Sequence, residues 1–169
     1  MKLRSGIVKL FVPVSAVLLL TSTTAIPAAA SAAPTFNSCS VVTRAEAASA
    51  IGQSVTSGAL GTATVEGGLA CVFYGPDAPK PRDPNVAQGD SVRVVVVKGA
   101  DASKWYKAYK AKVAAQPITG YGDQAFYDGY ASLSVLKGDY YLRIAVSPHN
   151  APPSLRDEER LAKAILPKL

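Results

Sequence analysis

Two cysteines, Cys39 and Cys71, follow a start that reads as an export signal, and this combination restricts the fold more than any other feature of the chain. Lys2, Arg4 and Lys9 make a basic beginning, Leu10 to Leu20 an apolar run interrupted by Pro13 and Ser15, and Ala28 to Ala33 a stretch of small residues. Ala30-Ser31-Ala32 fits the small-x-small rule for cleavage, so residues 1–32 are expected to be removed and the mature chain to start near Ala33. The apolar run is shorter than the ~20 residues that span a hydrocarbon core, which favours cleavage over the alternative of an uncleaved anchor. Export places both thiols where they pair. A bridge closing a loop of about 32 residues contributes roughly 3 to 4 kcal/mol in the chain-entropy model. Lipid attachment is the competing use of Cys39. Acylated cysteines directly follow the apolar run, whereas Cys39 comes well past Leu20, behind Thr35-Phe36-Asn37-Ser38.

The remaining length suits one domain with one core, expected over residues 39–169 behind a flexible segment, 33–38. Of 18 basic residues three belong to the signal, which holds none of the 12 acidic ones, so the mature chain keeps a formal +3. That charge is too weak to imply nucleic acid as a partner. The membrane enters only through the signal.

Thr43-Arg44-Ala45-Glu46 has the form of a capping box ahead of a short alanine-rich helix that Gly52 ends. Strands are expected over Thr62–Glu66 and Ala70–Tyr74, with a turn at Gly67-Gly68. Gly75 to Asp90 carries four prolines and reads as an exposed, mobile excursion. Ser91 to Lys98, with valines at 94–97, predicts a central strand covered on both faces. A second helix, capped by Asp101 or Ser103, extends to about Gln116, where Pro117 blocks it. Its apolar side is Ala102, Trp105, Tyr109 and Val113, with Lys104, Lys107 and Lys110 opposite. Strands over Gln124–Asp128, Ala131–Lys137 and Tyr140–Ser147 follow, joined by turns at Asp128-Gly129 and Gly138-Asp139. Ser154 then caps a helix with Leu161, Ala164, Ile165 and Leu169 on one stripe. The order helix, three strands, helix, three strands, helix predicts an α+β fold. Its expected form is an antiparallel sheet with the helices packed on one face.

Several blocks carry a resemblance: Cys39-Ser40-Val41-Val42-Thr43-Arg44-Ala45-Glu46-Ala47 with Ile51-Gly52, then Cys71-Val72-Phe73-Tyr74, then Gly120-Tyr121-Gly122-Asp123-Gln124-Ala125-Phe126-Tyr127. Lys137-Gly138-Asp139 and Leu161-Ala162-Lys163 complete the set. Together they resemble a family of secreted or lipid-anchored cell-envelope proteins of actinobacteria whose domain has no assigned function. The resemblance implies a single α+β domain similar to the PsbP-like fold, with a disulfide joining the first helix to an early strand, and no catalytic residues. This chain departs from the lipid-anchored members by lacking their acylation site, which favours release.

No residue pattern spells out a reaction. His149 is the only histidine and sits between Pro148 and Asn150, where a solvated loop side chain is the expectation; no Gly-x-Ser-x-Gly elbow accompanies it. Neither a cofactor nor a metal is implied: Asp123, Asp128 and Asp139 could in principle surround calcium, but they read as turn carboxylates capping amides. Gly120-Tyr121-Gly122-Asp123 reads as a tight turn, not a phosphate loop. Tyrosines crowd the second half, and Tyr127, Tyr130, Tyr141 and Arg143 form the candidate binding surface, against ordinary roles in a sheet. The lysine side of the second helix is a candidate for docking on anionic envelope polymers. The reading is an exported, non-catalytic domain that binds an envelope or extracellular ligand or protein. An enzyme of unfamiliar type remains the alternative.

Overall fold

The computed structural model describes residues 36–169, so the export signal expected over residues 1–32 lies outside the described residues. The capping box forms as expected: Glu46 N–H donates to Thr43 Oγ1 at 3.2 Å and Thr43 N–H to Glu46 Oε2 at 2.8 Å. They start α1, Arg44–Ile51, which Gly52 ends at φ 78°. Two strands follow, β1 (Ala59–Ala63) and β2 (Gly68–Tyr74), then β3 (Ser91–Lys98) and α2 (Ala100–Lys110). The second half holds four strands, not three: β4 (Gln116–Ile118), β5 (Gln124–Tyr127), β6 (Ser132–Lys137) and β7 (Tyr140–Ser147), closed by α3 (Leu155–Ile165). The added strand contains Pro117, opposite Phe126. It lies at the rim of the sheet, where a residue without an N–H is tolerated.

All seven strands form one antiparallel sheet in the order β1-β2-β3-β7-β6-β5-β4. The two meanders meet where β3 pairs with β7, which makes the valine strand interior as its composition predicted. Val92, Val94 and Val96 point to one side and Val95 and Val97 to the other. Both sides are apolar and both must be covered. Consequently the helices do not share a face: α1 and α3 cover the Val94 side, with Leu142, Ile144 and Leu133, while α2 covers the Val95 side, with Tyr141 and Phe126. The expectation of helices on one face is corrected to a sheet between two helical layers.

The disulfide joins Cys39 and Cys71, with Cα atoms 4.9 Å apart. Cys39 belongs to a 3-10 turn, Ser38–Ser40, ahead of α1, so the bridge ties that turn, not the helix itself, to β2. The expected flexibility of residues 33–38 does not hold from Phe36 onward. Phe36 packs edge-on against Tyr140, with ring centroids 6.1 Å apart. Ser38 is fully buried and inserts its hydroxyl between facing groups of β2 and β3, donating to Leu69 O at 2.5 Å and accepting from Val96 N–H at 2.9 Å.

The proline-rich segment is also held down. Arg93 donates to Pro84 O at 2.9 Å, Thr62 N–H on the rim of β1 donates to Asn85 at 2.7 Å, and the buried Asp90 carboxylate accepts from Asp77 N–H at 2.7 Å. It covers the outer edge of the sheet, which would otherwise expose unpaired backbone groups. On α2 the buried positions are Ala102, Tyr106 and Tyr109, with Trp105 flanking them, and the helix starts after Gly99 without a side-chain cap. Trp105 packs over the turn between β1 and β2: Gly67, at φ 76°, lies so close beneath its indole that a Cβ there would be 1.9 Å from it.

Candidate functional site

Register brings two arginines together. Arg93 on β3 faces Ala145 on β7, and Val95 faces Arg143, so both arginines project from the α2 side as diagonal neighbours. Two cations this close repel unless an anion joins them. Glu66 does so from the β1–β2 turn, 3% exposed, with its Oε1 on the Arg143 guanidinium and its Oε2 3.8 Å from that of Arg93. The turn is folded inward by bonds from Glu66 N–H and Gly67 N–H to Ala63 O, 3.2 and 2.7 Å, and is roofed by Trp105.

Arg143 is held on every side. Its guanidinium lies 4.0 Å from the centre of the Tyr109 ring, donates to the Tyr109 hydroxyl at 2.7 Å and, through Nε, to Ser132 Oγ at 2.9 Å. Both hydroxyls then donate to Asp128 Oδ2, at 2.9 and 2.5 Å. The other oxygen of Asp128 accepts from the N–H groups of Tyr130, Ala131 and Ser132 at 2.8 to 3.0 Å. Burial by itself would raise the Asp128 carboxyl, but the bonds from Ser132 and these amides outweigh it and hold the group below the ordinary aspartate range. Burial pushes the Tyr109 hydroxyl up, so it stays a neutral donor. Arg93 is less engaged: it donates one hydrogen bond, to Pro84 O, among the described residues.

These groups line a cavity of about 260 Å³ between the β1–β2 turn, the proline-rich segment and the end of α2. Its floor is Val95 and Ala145, its polar wall Glu66, Arg93, Tyr109 and Arg143. This is at the small end for ligand sites. It suits one ring or head group.

Of the four residues expected to form a binding surface, only Arg143 lines this cavity. Tyr141 shares its face but is fully buried beneath α2, edge-on to Tyr106 with ring centroids 5.8 Å apart. Tyr127 faces Leu133 and therefore lies on the opposite side of the sheet, its hydroxyl donating to Tyr130 O at 2.8 Å. Tyr130 stands 79% exposed in the turn that Asp128 organises. The four do not form one surface, because α2 covers the sheet at Tyr141 and ends above Arg143. His149 is exposed on its loop, and Asp123 accepts from Gly138 N–H at 2.7 Å, a turn role. Among the described residues no three His, Cys, Asp or Glu side chains gather as metal ligands. Lys104, Lys107 and Lys110 are exposed on the outer side of α2.

Asp128 caps turn amides as the sequence implied, though its hold on the hydroxyls that position Arg143 was not legible, and neither Glu66 nor Arg93 was named as a site residue. Arg93 had a visible signal, a charge inside a valine run. Glu66 had been assigned to a strand that in fact ends at Ala63. No family model matches the chain, and no curated protein and no solved structure shows significant similarity to it.

Proposed function

We propose that this domain acts outside the cytoplasm as a non-catalytic binding module, taking a small polar ligand into the Arg93–Arg143 cleft. The observation that carries this reading is a cavity whose polar wall is oriented in advance. Glu66, Tyr109, Ser132 and Asp128 lock Arg143, while Arg93 beside it keeps most of its donors unspent. Fixed donors lower the ordering cost of binding. Glu66 and Asp128 are occupied by guanidinium, amide and hydroxyl donors, an arrangement that holds charge in place. The paired cysteines and the resemblance to envelope domains support export.

A ligand that binds only the folded state raises the unfolding temperature. Screening the mature protein against small molecules should therefore reveal stabilising compounds, and Arg93→Met should abolish their effect while keeping the disulfide and fold. A panel that stabilises neither protein, or stabilises both equally, refutes the cleft as the site. The exposed Lys104, Lys107 and Lys110 favour a second reading, docking on anionic envelope polymers. It requires retention on such polymers that weakens with salt.

A further inference from the structure

The cleft does not end at its rim. A second hollow of about 370 Å³ adjoins it, with Ala87 as a shared wall, and is lined by Gln88, Ser147, Pro148, Pro153 and Tyr130. Among the described residues Tyr130 is the most exposed of the large apolar side chains, at 79%. An aromatic ring left in solvent on a loose loop would need no explanation, but this loop is not loose. Asp128 accepts from the N–H groups of Tyr130, Ala131 and Ser132, and Tyr127 donates to Tyr130 O. The other oxygen of the same Asp128 takes the two hydroxyls that position Arg143. One buried carboxylate thus builds both the polar wall of the cleft and the mount of the exposed ring.

The chemistry of the two hollows narrows the ligand. Glu66 in the cleft wall and Asp128 behind it, 3.8 Å from the Arg143 guanidinium, balance Arg93 and Arg143, so the cluster as a whole carries no formal net charge. It offers donors from Arg93 and Arg143 beside the acceptor Glu66, a pattern matched by hydroxyls, which donate and accept at once. The second hollow has polar groups as well as apolar ones in its lining, with Ser147 and Gln88 beside Pro148 and Pro153. A hydrocarbon chain would leave these groups unpaired. A sugar ring satisfies them and lays its C–H face on an aromatic plate.

The geometry points to a neutral saccharide as the ligand, one ring held in the cleft by Arg93, Glu66 and Arg143 and the next lying across Ala87 on Tyr130. This rests on the cleft being the binding site. The mature protein is titrated with methyl glycosides of several hexoses, the matching disaccharides, the corresponding uronic acids and hexanoate. A disaccharide is expected to bind about tenfold more tightly than its methyl glycoside, the worth of one well-stacked ring. Tyr130→Ala, a change at a fully displayed side chain, should remove that gain and leave the monosaccharide unaffected. Arg93→Met should remove both. If other small molecules bind in an Arg93-dependent way and no saccharide does, the saccharide assignment fails while the cleft stands; if nothing binds, both fail. A uronic acid or hexanoate that outbinds every neutral sugar, or a disaccharide gain that survives Tyr130→Ala, also overturns the assignment.

Discussion

Replacing Glu158 by glutamine should stabilise this protein in alkaline solution and do little in acid. Glu158 lies in the first turn of α3, fully buried, with one oxygen accepting from Val146 N–H at 3.4 Å and the other without a partner among the described residues. Burial, together with the nearby carboxylates of Asp128, Asp157 and Glu159, pushes its carboxyl up to about 8, against only the opposing bond from Val146. The folded protein therefore keeps a proton that the unfolded chain releases near its ordinary value of 4.5. Stability from this group is complete below that value and drains away as pH rises toward 8, at up to about 1.4 kcal/mol per pH unit. Across the window the loss is on the order of 3 to 5 kcal/mol. Glutamine keeps the acceptor for Val146 and cannot ionise, so Glu158→Gln should match the parent near pH 5 and exceed it by about 3 kcal/mol near pH 9. Urea unfolding followed by Trp105 fluorescence at several pH values measures this. Other titrating groups cancel in the difference between the two proteins. Parallel curves for parent and variant would show that the carboxyl ionises freely in the fold, and the reasoning would be wrong.

Loss of the bridge, by Cys39→Ala with Cys71→Ala, should lower stability by about 3 kcal/mol, read as a lower urea midpoint that reductant no longer shifts; a midpoint equal to that of the parent would deny the bridge any role. Gly67→Ala should cost about 2 kcal/mol or more, because the backbone is at φ 76° and the new Cβ meets Trp105. It should also change Trp105 emission and weaken ligand stabilisation, since the same turn presents Glu66; unchanged emission with full ligand response would contradict that coupling.

Local signals were legible and long-range ones were not. Thr43 and Glu46 announce α1, because a capping box needs four consecutive residues and nothing else. The Gly138-Asp139 turn between Lys137 and Tyr140 was readable for the same reason. β1 was misplaced because threonine and valine in Thr62–Glu66 favour strands, yet the chain turns after Ala63, where Gly67 and Trp105 decide the geometry. β4 was hidden by Pro117, which reads as a stop and is equally at home on a sheet edge. The four consecutive valines already contradicted a single helical layer, since a strand apolar on both faces needs two. As for the site, Arg143 was legible only as a neighbour of the tyrosines that crowd the second half. Its partners were beyond reach: Arg93 meets it only through the β3–β7 register, 50 residues apart in the chain, and Glu66 only through a turn that folds inward.

Stability alone does not account for this cluster. Exchanging a buried set of ion pairs for apolar side chains of similar volume is often neutral or favourable, because desolvation consumes most of the Coulomb gain. On the same face of the sheet Val95, Val97, Tyr141 and Phe126 pack in that cheaper way under α2. Where the helix stops, the sheet continues with Arg93 and Arg143, and the proline-rich segment bends back to wall the space without filling it. Two features then distinguish the cluster from a framework ion pair. Its members are locked to one another, so the donors are oriented before anything arrives, and one of them, Arg93, is left with donors to spare. Framework pairs exhaust their partners on each other; a wall that retains directed, unspent donors beside a void is what recognition of a polar molecule requires.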